Sequence, residues 1–195
     1  YAYLKDGSTD HEIIAMEHSF HGRSMGALAV TGNKHYQEAF GPMIPGIRFA
    51  QYNNLESVKE LVNEKTCAII FETVQGEGGV YPAKKEFIEG VRKLCDKYGI
   101  LMICDEVMAG FFRTGKWFAW QNFDFVPDMI TFAKGVTCGY VQLGGVIVNK
   151  KVADYFEENV LQCGLTYSGH TLACAAGVAA LTYYKEHNIE QHVAE

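Results

Sequence analysis

Lys134 closes the apolar run "MITFA" and stands between Ala133 and Gly135, with no acidic neighbour in sequence to pair its ammonium. An amine placed where a strand leaves a core is open to desolvation, which favours the neutral form, and a neutral amine attacks carbonyl carbon. Other apolar runs end in residues of similar chemical weight. "EIIAMEH" is followed by "SFHGR" with Phe20, "CAIIF" runs into Glu72 and a glycine-rich stretch, and "ILMIC" ends in Asp105 and Glu106. Singly, each has a bland reading: Lys134 as a snorkelling surface residue, Phe20 as a core edge, Asp105 and Glu106 as solvated loop charges or helix caps. Together they are harder to dismiss, because ligands of open α/β sheets gather beyond the carboxyl ends of the strands.

The elements that must position these residues follow from periodicity. Strands are expected at 12–18, 47–52, 67–74, 100–105, 129–133 and 143–149. A helix capped by Asn54 carries Leu55, Val58, Leu61 and Val62 on one face, and a second carries Phe87, Ile88, Val91, Leu94, Cys95 and Tyr98 before a stop at Gly99. Continuously apolar strands separated by helices imply a mainly parallel sheet covered on both faces, in a three-layer α/β/α arrangement. The connection into the last strand is too short for a helical crossover, so that strand is expected to be antiparallel. "HTLACAAGVAALTYYKE" (170–186) reads as a small-residue-rich helix leading out of the domain.

The totals restrict the partners. Across 195 residues the formal charge is −6 and no basic run exceeds two residues, which argues against a nucleic-acid or anionic-membrane surface. No apolar run approaches the roughly 18 residues of a membrane-spanning helix. Six cysteines lie mostly inside apolar runs without a C-x-x-C pair, a pattern expected of a reducing cytoplasm.

A lysine that forms a Schiff base with pyridoxal phosphate needs a carboxylate that keeps the pyridine nitrogen protonated, a ring-stacking group and phosphate donors. Asp105, at the end of a neighbouring strand, is placed to be that carboxylate. With these residues in view, "SFHGR", "ETVQGEGG", "DEVMAGFFRTG", "MITFAKG" and "GLTYSGHTLACA" resemble, in this order, the class III branch of the fold-type I pyridoxal-phosphate aminotransferases. That branch includes acetylornithine, ornithine, 4-aminobutyrate and ω-amino-acid:pyruvate enzymes. The resemblance implies that Lys134 is the Schiff-base lysine and later the proton carrier, and that Asp105 holds the pyridinium. It places Val107 and Phe20 on the two ring faces, His21 near the cofactor and Glu72 beside the cofactor hydroxyl. Arg23 and Glu77 would border the substrate pocket, and Thr166 would reach the phosphate of a neighbouring subunit in a homodimer with shared active sites. The substrates implied are an amino donor and a 2-oxo acid acceptor; no metal is implied.

The family's phosphate-cradling turn would precede Tyr1, and its C-terminal domain would follow Glu195. The chain is therefore expected to be a fragment, inactive alone: residues 1–169 as part of the large cofactor-binding domain, and 170–195 as a helix toward a small domain. Met108 stands where ornithine-type members tend to have glutamine, which leans toward ω-amino-acid:pyruvate enzymes, whereas "SFHGRSMGALAVTG" and "QGEGGV" lean toward acetylornithine and 4-aminobutyrate enzymes. An aminomutase of the same fold and a non-catalytic relative are the nearest alternatives. "GFFRTGKW" (110–117) matches the G-x-x-x-x-G-K of a nucleotide-binding loop, but Trp117 replaces the Ser or Thr that ligates magnesium. His18 and His21 lack a second ligand cluster for a metal, and His170, His187 and His192 read as cap or surface residues.

Overall fold

The computed structural model describes residues 1–194, so Glu195, the last residue of the expected 170–195 segment, lies outside the described residues. The strands are β1 (Glu12–Met16), β2 (Ile47–Ala50), β3 (Thr66–Glu72), β4 (Val74–Gln75), β5 (Tyr81–Pro82), β6 (Leu101–Asp105), β7 (Met129–Phe132) and β8 (Gly145–Val148). The helices are α1 (Ala2–Asp6), α2 (Met25–Ala29), α3 (Lys34–Gln37), α4 (Leu55–Leu61), α5 (Lys85–Tyr98), α6 (Lys150–Glu158), α7 (Thr171–Glu186) and α8 (Ile189–Ala194).

Six strands form one sheet in the order β2-β1-β3-β6-β7-β8. All neighbours run parallel except β8, which pairs antiparallel with β7 from Met129↔Val148 to Phe132↔Gly145. The alternation of side chains along each strand divides the core. Ile14, Met16, Ile69, Phe71, Met102 and Cys104 pack on one side with Val58 of α4 and Phe87, Ile88, Val91 and Cys95 of α5. On the other side, Ala15 and Ile70 meet Val30, while Ala68 and Leu101 meet Val152 of α6 and Tyr1. This is the expected three-layer α/β/α architecture, and each full burial of a side chain such as Phe71 contributes on the order of 1.5–3 kcal/mol.

Local chemistry sets the element ends. Asn54 Oδ1 accepts from Ser57 N–H at 3.2 Å, Asn149 Oδ1 accepts from Val152 N–H at 3.0 Å, and Gly99 ends α5 in the left-handed conformation at φ 69°. Asp128 ties the far edge together: Oδ2 accepts from Met102 N–H and from Arg92, both at 2.8 Å, and Oδ1 accepts from Asn149.

Several expectations need correction. The first strand stops at Met16 because His18 takes φ 60°. The second ends at Ala50, and the third at Glu72, after which Val74–Gln75 turns back to pair with Tyr81–Pro82 as a hairpin inside the expected glycine-rich loop. Tyr98 is exposed rather than on the buried face of α5, with Lys97 Nζ 4.8 Å from its ring centroid. The crossover from β6 to β7 holds no α-helix, only a 3-10 turn at Ala119–Asn122. Val146, Ile147 and Val148 of β8 are exposed, so the cover on both faces does not extend to that strand.

Candidate active site

The sheet order reverses between β1, which leads outward to β2, and β3, which begins the run in the other direction. Such a switch point leaves a crevice at the carboxyl ends of the strands. Phe20 and His21 follow β1, Glu72 ends β3, Asp105 ends β6, and Lys134 follows β7. Glu72 pairs with Asp105, and Asp105 with Thr131, in adjacent parallel strands. Lys134 is therefore one strand over and three residues beyond the Asp105 level, a Cα separation on the order of 11 Å.

Asp105 is gripped from two sides. His21 Nδ1 meets its Oδ2 at 2.7 Å, and Val107 N–H donates to its Oδ1 at 3.0 Å. A carboxylate only accepts, so the His21 proton sits on Nδ1, leaving Nε2 as a buried ring nitrogen without a partner among the described residues. His21 N–H in turn donates to Thr31 Oγ1 at 2.9 Å. Sequence reasoning placed His21 only near the site; the contact with Asp105 is what the structure adds.

Glu72 is buried, and its carboxylate accepts from Phe20 N–H at 3.1 Å and Gly76 N–H at 3.4 Å. Burial raises its pKa, and those two N–H groups oppose the rise. Glu106 corrects the expectation of a solvated charge or cap. It is fully buried, and it accepts from Ala119 and Trp120 N–H, both at 2.9 Å, and from Thr73 Oγ1 at 3.3 Å. Burial pushes its pKa up to about 7 despite these donors. As the residue after Asp105, it faces away from the crevice and pins the crossover loop to the sheet.

Lys134 lies on the wall of a cavity of about 780 Å³, together with Val107, Met108, Phe111, Arg113 and Tyr184. That volume is within the roughly 300–1,000 Å³ of small-molecule sites. The expected desolvation of Lys134 is not found: the residue is exposed, because the chain leaves β7 into a 3-10 turn in which Lys134 takes φ 45°. Tyr184, which no sequence signal marked, donates from its hydroxyl to Gly135 O at 2.7 Å and anchors that turn on α7.

Arg23 and Glu77 are exposed and meet through Tyr36 rather than directly: Arg23 Cζ lies 3.9 Å from the Tyr36 ring centroid, and Tyr36 Oη donates to Glu77 Oε1 at 3.2 Å. Thr166 is not brought to the cavity; it sits in residues 160–172, all of them exposed.

A pyridine-type cofactor with an aldehyde fits this donor set. Asp105 is a buried carboxylate at the sheet edge, Val107 and Lys134 share a cavity, and Phe20 is fixed through its backbone to Glu72. The nucleotide-loop alternative does not fit. Within residues 110–117, Phe111 N–H donates to Trp117 O, Phe112 N–H to Lys116 O and Gly115 N–H to Phe112 O, so the amides that would cradle phosphate are used internally. Lys116 pairs with Glu190. Among the described residues no group of three His, Cys, Asp or Glu is placed to hold a metal ion, and no helix is long and apolar enough to cross a membrane.

Comparison with known proteins agrees with this geometry. The model of the family "Aminotransferase class-III" matches residues 1–195. The acetylornithine aminotransferase of Clostridium acetobutylicum is 44% identical over 181 residues, which cover 93% of this chain and 46% of that protein. The taurine:2-oxoglutarate aminotransferase of Bifidobacterium kashiwanohense, solved in complex with PLP and glutamate, superposes with TM-score 0.92 at 47% identity, over 98% of this chain and 48% of that one. An (S)-enantioselective omega-transaminase from Thermomicrobium roseum gives TM-score 0.91 at 34% identity, over 97% and 48%. The chain spans about half the length of these relatives.

Proposed function

The chain belongs to the class-III aminotransferases, and from that premise we propose that the protein it represents moves an amino group from an ω-amino acid or amine to a 2-oxo acid, using pyridoxal phosphate. The observation that carries the proposal is the juxtaposition of Asp105, Val107 and Lys134: a buried carboxylate bonded to the amide of Val107, which shares a cavity wall with the only amine of the strand-end set. The names of the relatives, acetylornithine and taurine:2-oxoglutarate aminotransferases, support this substrate class.

Pyridoxal phosphate, when bound, supplies an aldehyde that takes up the amino group and a pyridinium ring that withdraws the electrons left on the donor carbon when its proton departs. Lys134 would be the amine that holds the cofactor through its aldehyde. Its amine, when free, would serve as the base that moves the proton of the donor carbon. Asp105 keeps the ring nitrogen protonated, and His21 together with the Val107 amide keeps Asp105 oriented for that task. Val107 and Phe20 would bound the ring faces, and Glu72 would sit beside the ring hydroxyl. Arg23, whose planar fork suits a carboxylate, and Glu77 border the substrate side.

Val160, Leu161, Leu165, Tyr167 and Leu172 are exposed around Thr166, which supports a homodimer in which Thr166 serves the phosphate of the opposite subunit. Residues 1–169 act as part of the large cofactor-binding domain, and the segment from His170 onward, which holds α7 and α8, leads from it. Six free cysteines, three of them exposed, support a reducing compartment such as the cytoplasm.

The test is made on the full-length protein loaded with pyridoxal phosphate. A visible absorbance band should appear, borohydride should bleach it and leave the label on the peptide containing Lys134, and Lys134→Ala should lack the band. A label on any other lysine, or a band that survives Lys134→Ala, would sink the assignment.

A further inference from the structure

Tyr36 has no part in the reading above, yet it touches three residues that do. Its ring lies under the Arg23 guanidinium at 3.9 Å, meets the Phe20 ring edge-on with centroids 5.9 Å apart and planes at 86°, and its hydroxyl donates to Glu77 at 3.2 Å. Tyr36 is itself half-buried on α3, which Asn33 starts by accepting the His35 amide. Among the described residues Arg23 forms no ion pair, although Arg48 and Arg92 both do.

A guanidinium stacked on an aromatic face is held by the ring quadrupole, while its N–H groups lie in its own plane and stay free. A guanidinium paired with a carboxylate has that fork already filled. Tyr36 holds the cation on its face and the neighbouring anion, Glu77, on its rim, so Arg23 is oriented without being neutralised. We propose that Tyr36 is a positioning residue for substrate specificity, which presents the open fork of Arg23 to the carboxylate of the amino-acid or 2-oxo-acid substrate. The proposal rests on the transaminase reading and on the role of Arg23 within it.

The experiment uses the full-length holoenzyme and glutarate, a dicarboxylate that cannot react, titrated by calorimetry, alongside steady-state kinetics with 2-oxoglutarate. Tyr36→Leu removes the ring and should weaken glutarate by roughly 5-fold to 30-fold, the span of a partly desolvated cation–π contact. KM for 2-oxoglutarate should rise in parallel while kcat changes by less than about 3-fold, the signature of lost ground-state binding. Tyr36→Phe keeps the ring face and should hold glutarate to within about 3-fold of the parent. The proposal is overturned if Tyr36→Leu binds glutarate like the parent, if Tyr36→Phe is as damaging as Tyr36→Leu, or if kcat alone falls. Absence of the borohydride-bleachable band from the parent enzyme would instead defeat the transaminase reading, and this proposal with it.

Discussion

His21 and Asp105, 84 residues apart in sequence, meet at 2.7 Å with side chains 2% and 6% exposed. The pair bridges the crevice at the carboxyl ends of the strands, joining the loop that follows β1 to the last residue of β6 across the intervening β3. His21→Ala removes one of the two hydrogen bonds to Asp105 and leaves a carboxylate oxygen buried without a donor. Loss of such a partner costs roughly 1–3 kcal/mol, so the urea midpoint of the apo-protein should fall. The holoenzyme should also lose cofactor faster in the variant, because Asp105 is no longer held in one rotamer.

Asp105→Asn tests the other half of the pair. The amide is nearly isosteric and still accepts the Val107 N–H through its oxygen; its NH2 then faces His21, whose Nδ1 accepts once the ring proton sits on Nε2, so the fold and cofactor loading should survive. It is neutral, however, and cannot hold a cationic ring nitrogen. Removal of a preorganised charge of this kind lowers kcat by about 10²–10³-fold. Single-turnover kinetics on the loaded variant should place that loss in the proton-transfer step, and an undiminished rate would contradict the role given to Asp105.

Much of this arrangement was legible in the sequence because strands buried on both faces are written as unbroken apolar runs. The residue that ends such a run is bound to appear at the carboxyl edge of a parallel sheet. "CAIIFE" and "MICD" therefore announced Glu72 and Asp105, and the short link before "GVIV" announced the antiparallel β8. Contacts between distant segments left no such mark. The His21–Asp105 bond, the Tyr184 hydroxyl on Gly135 O, and the Tyr36 ring beneath Arg23 all depend on how loops fold back over the sheet. Glu106 was misread for a reason the sequence did contain: it directly follows Asp105 at a strand end, and successive residues there face opposite sides. The exposure of Lys134 arises from a backbone turn at φ 45°, which a lysine flanked by Ala133 and Gly135 does not advertise.

Glu106 makes a prediction about pH. Its pKa is raised from the ordinary 4.5 to about 7, chiefly by burial, so the folded state retains a proton that the unfolded chain releases. The stability this contributes is fully present below about 4.5 and is lost as pH rises through 7, a change of roughly 3 kcal/mol by linkage. Glu72, also raised by burial, adds to the same trend. Urea midpoints measured between pH 5 and 8 should fall with rising pH, and Glu106→Gln, which cannot ionise, should flatten most of that slope. A slope unchanged by the substitution would show that Glu106 keeps an ordinary carboxylate pKa.

Gly135→Ala probes how closely the turn after Lys134 is packed. A Cβ at Gly135 would lie 2.8 Å from Phe111 Cβ and 2.9 Å from its Cδ2. Phe111 has little room to yield, since its ring packs against Phe118 at 5.4 Å, Phe132 at 6.1 Å and Tyr184 at 6.3 Å between centroids. Overpacking of this sort costs roughly 1–3 kcal/mol. The relief must come from the 134–137 turn, whose Gly135 carbonyl is tied to Tyr184, so the amine of Lys134 moves with it. Gly26 is the contrast: nothing lies within 4 Å of its would-be Cβ, and it sits in α2, where alanine gains about 0.5–1 kcal/mol over glycine. Thermal melts and kcat of the two full-length variants should therefore diverge, Gly26→Ala melting at or above the parent with full turnover, and Gly135→Ala melting lower with turnover reduced beyond what its folded fraction explains. Equal turnover per folded molecule in both would mean that the position of Lys134 does not depend on the fit between Gly135 and Phe111.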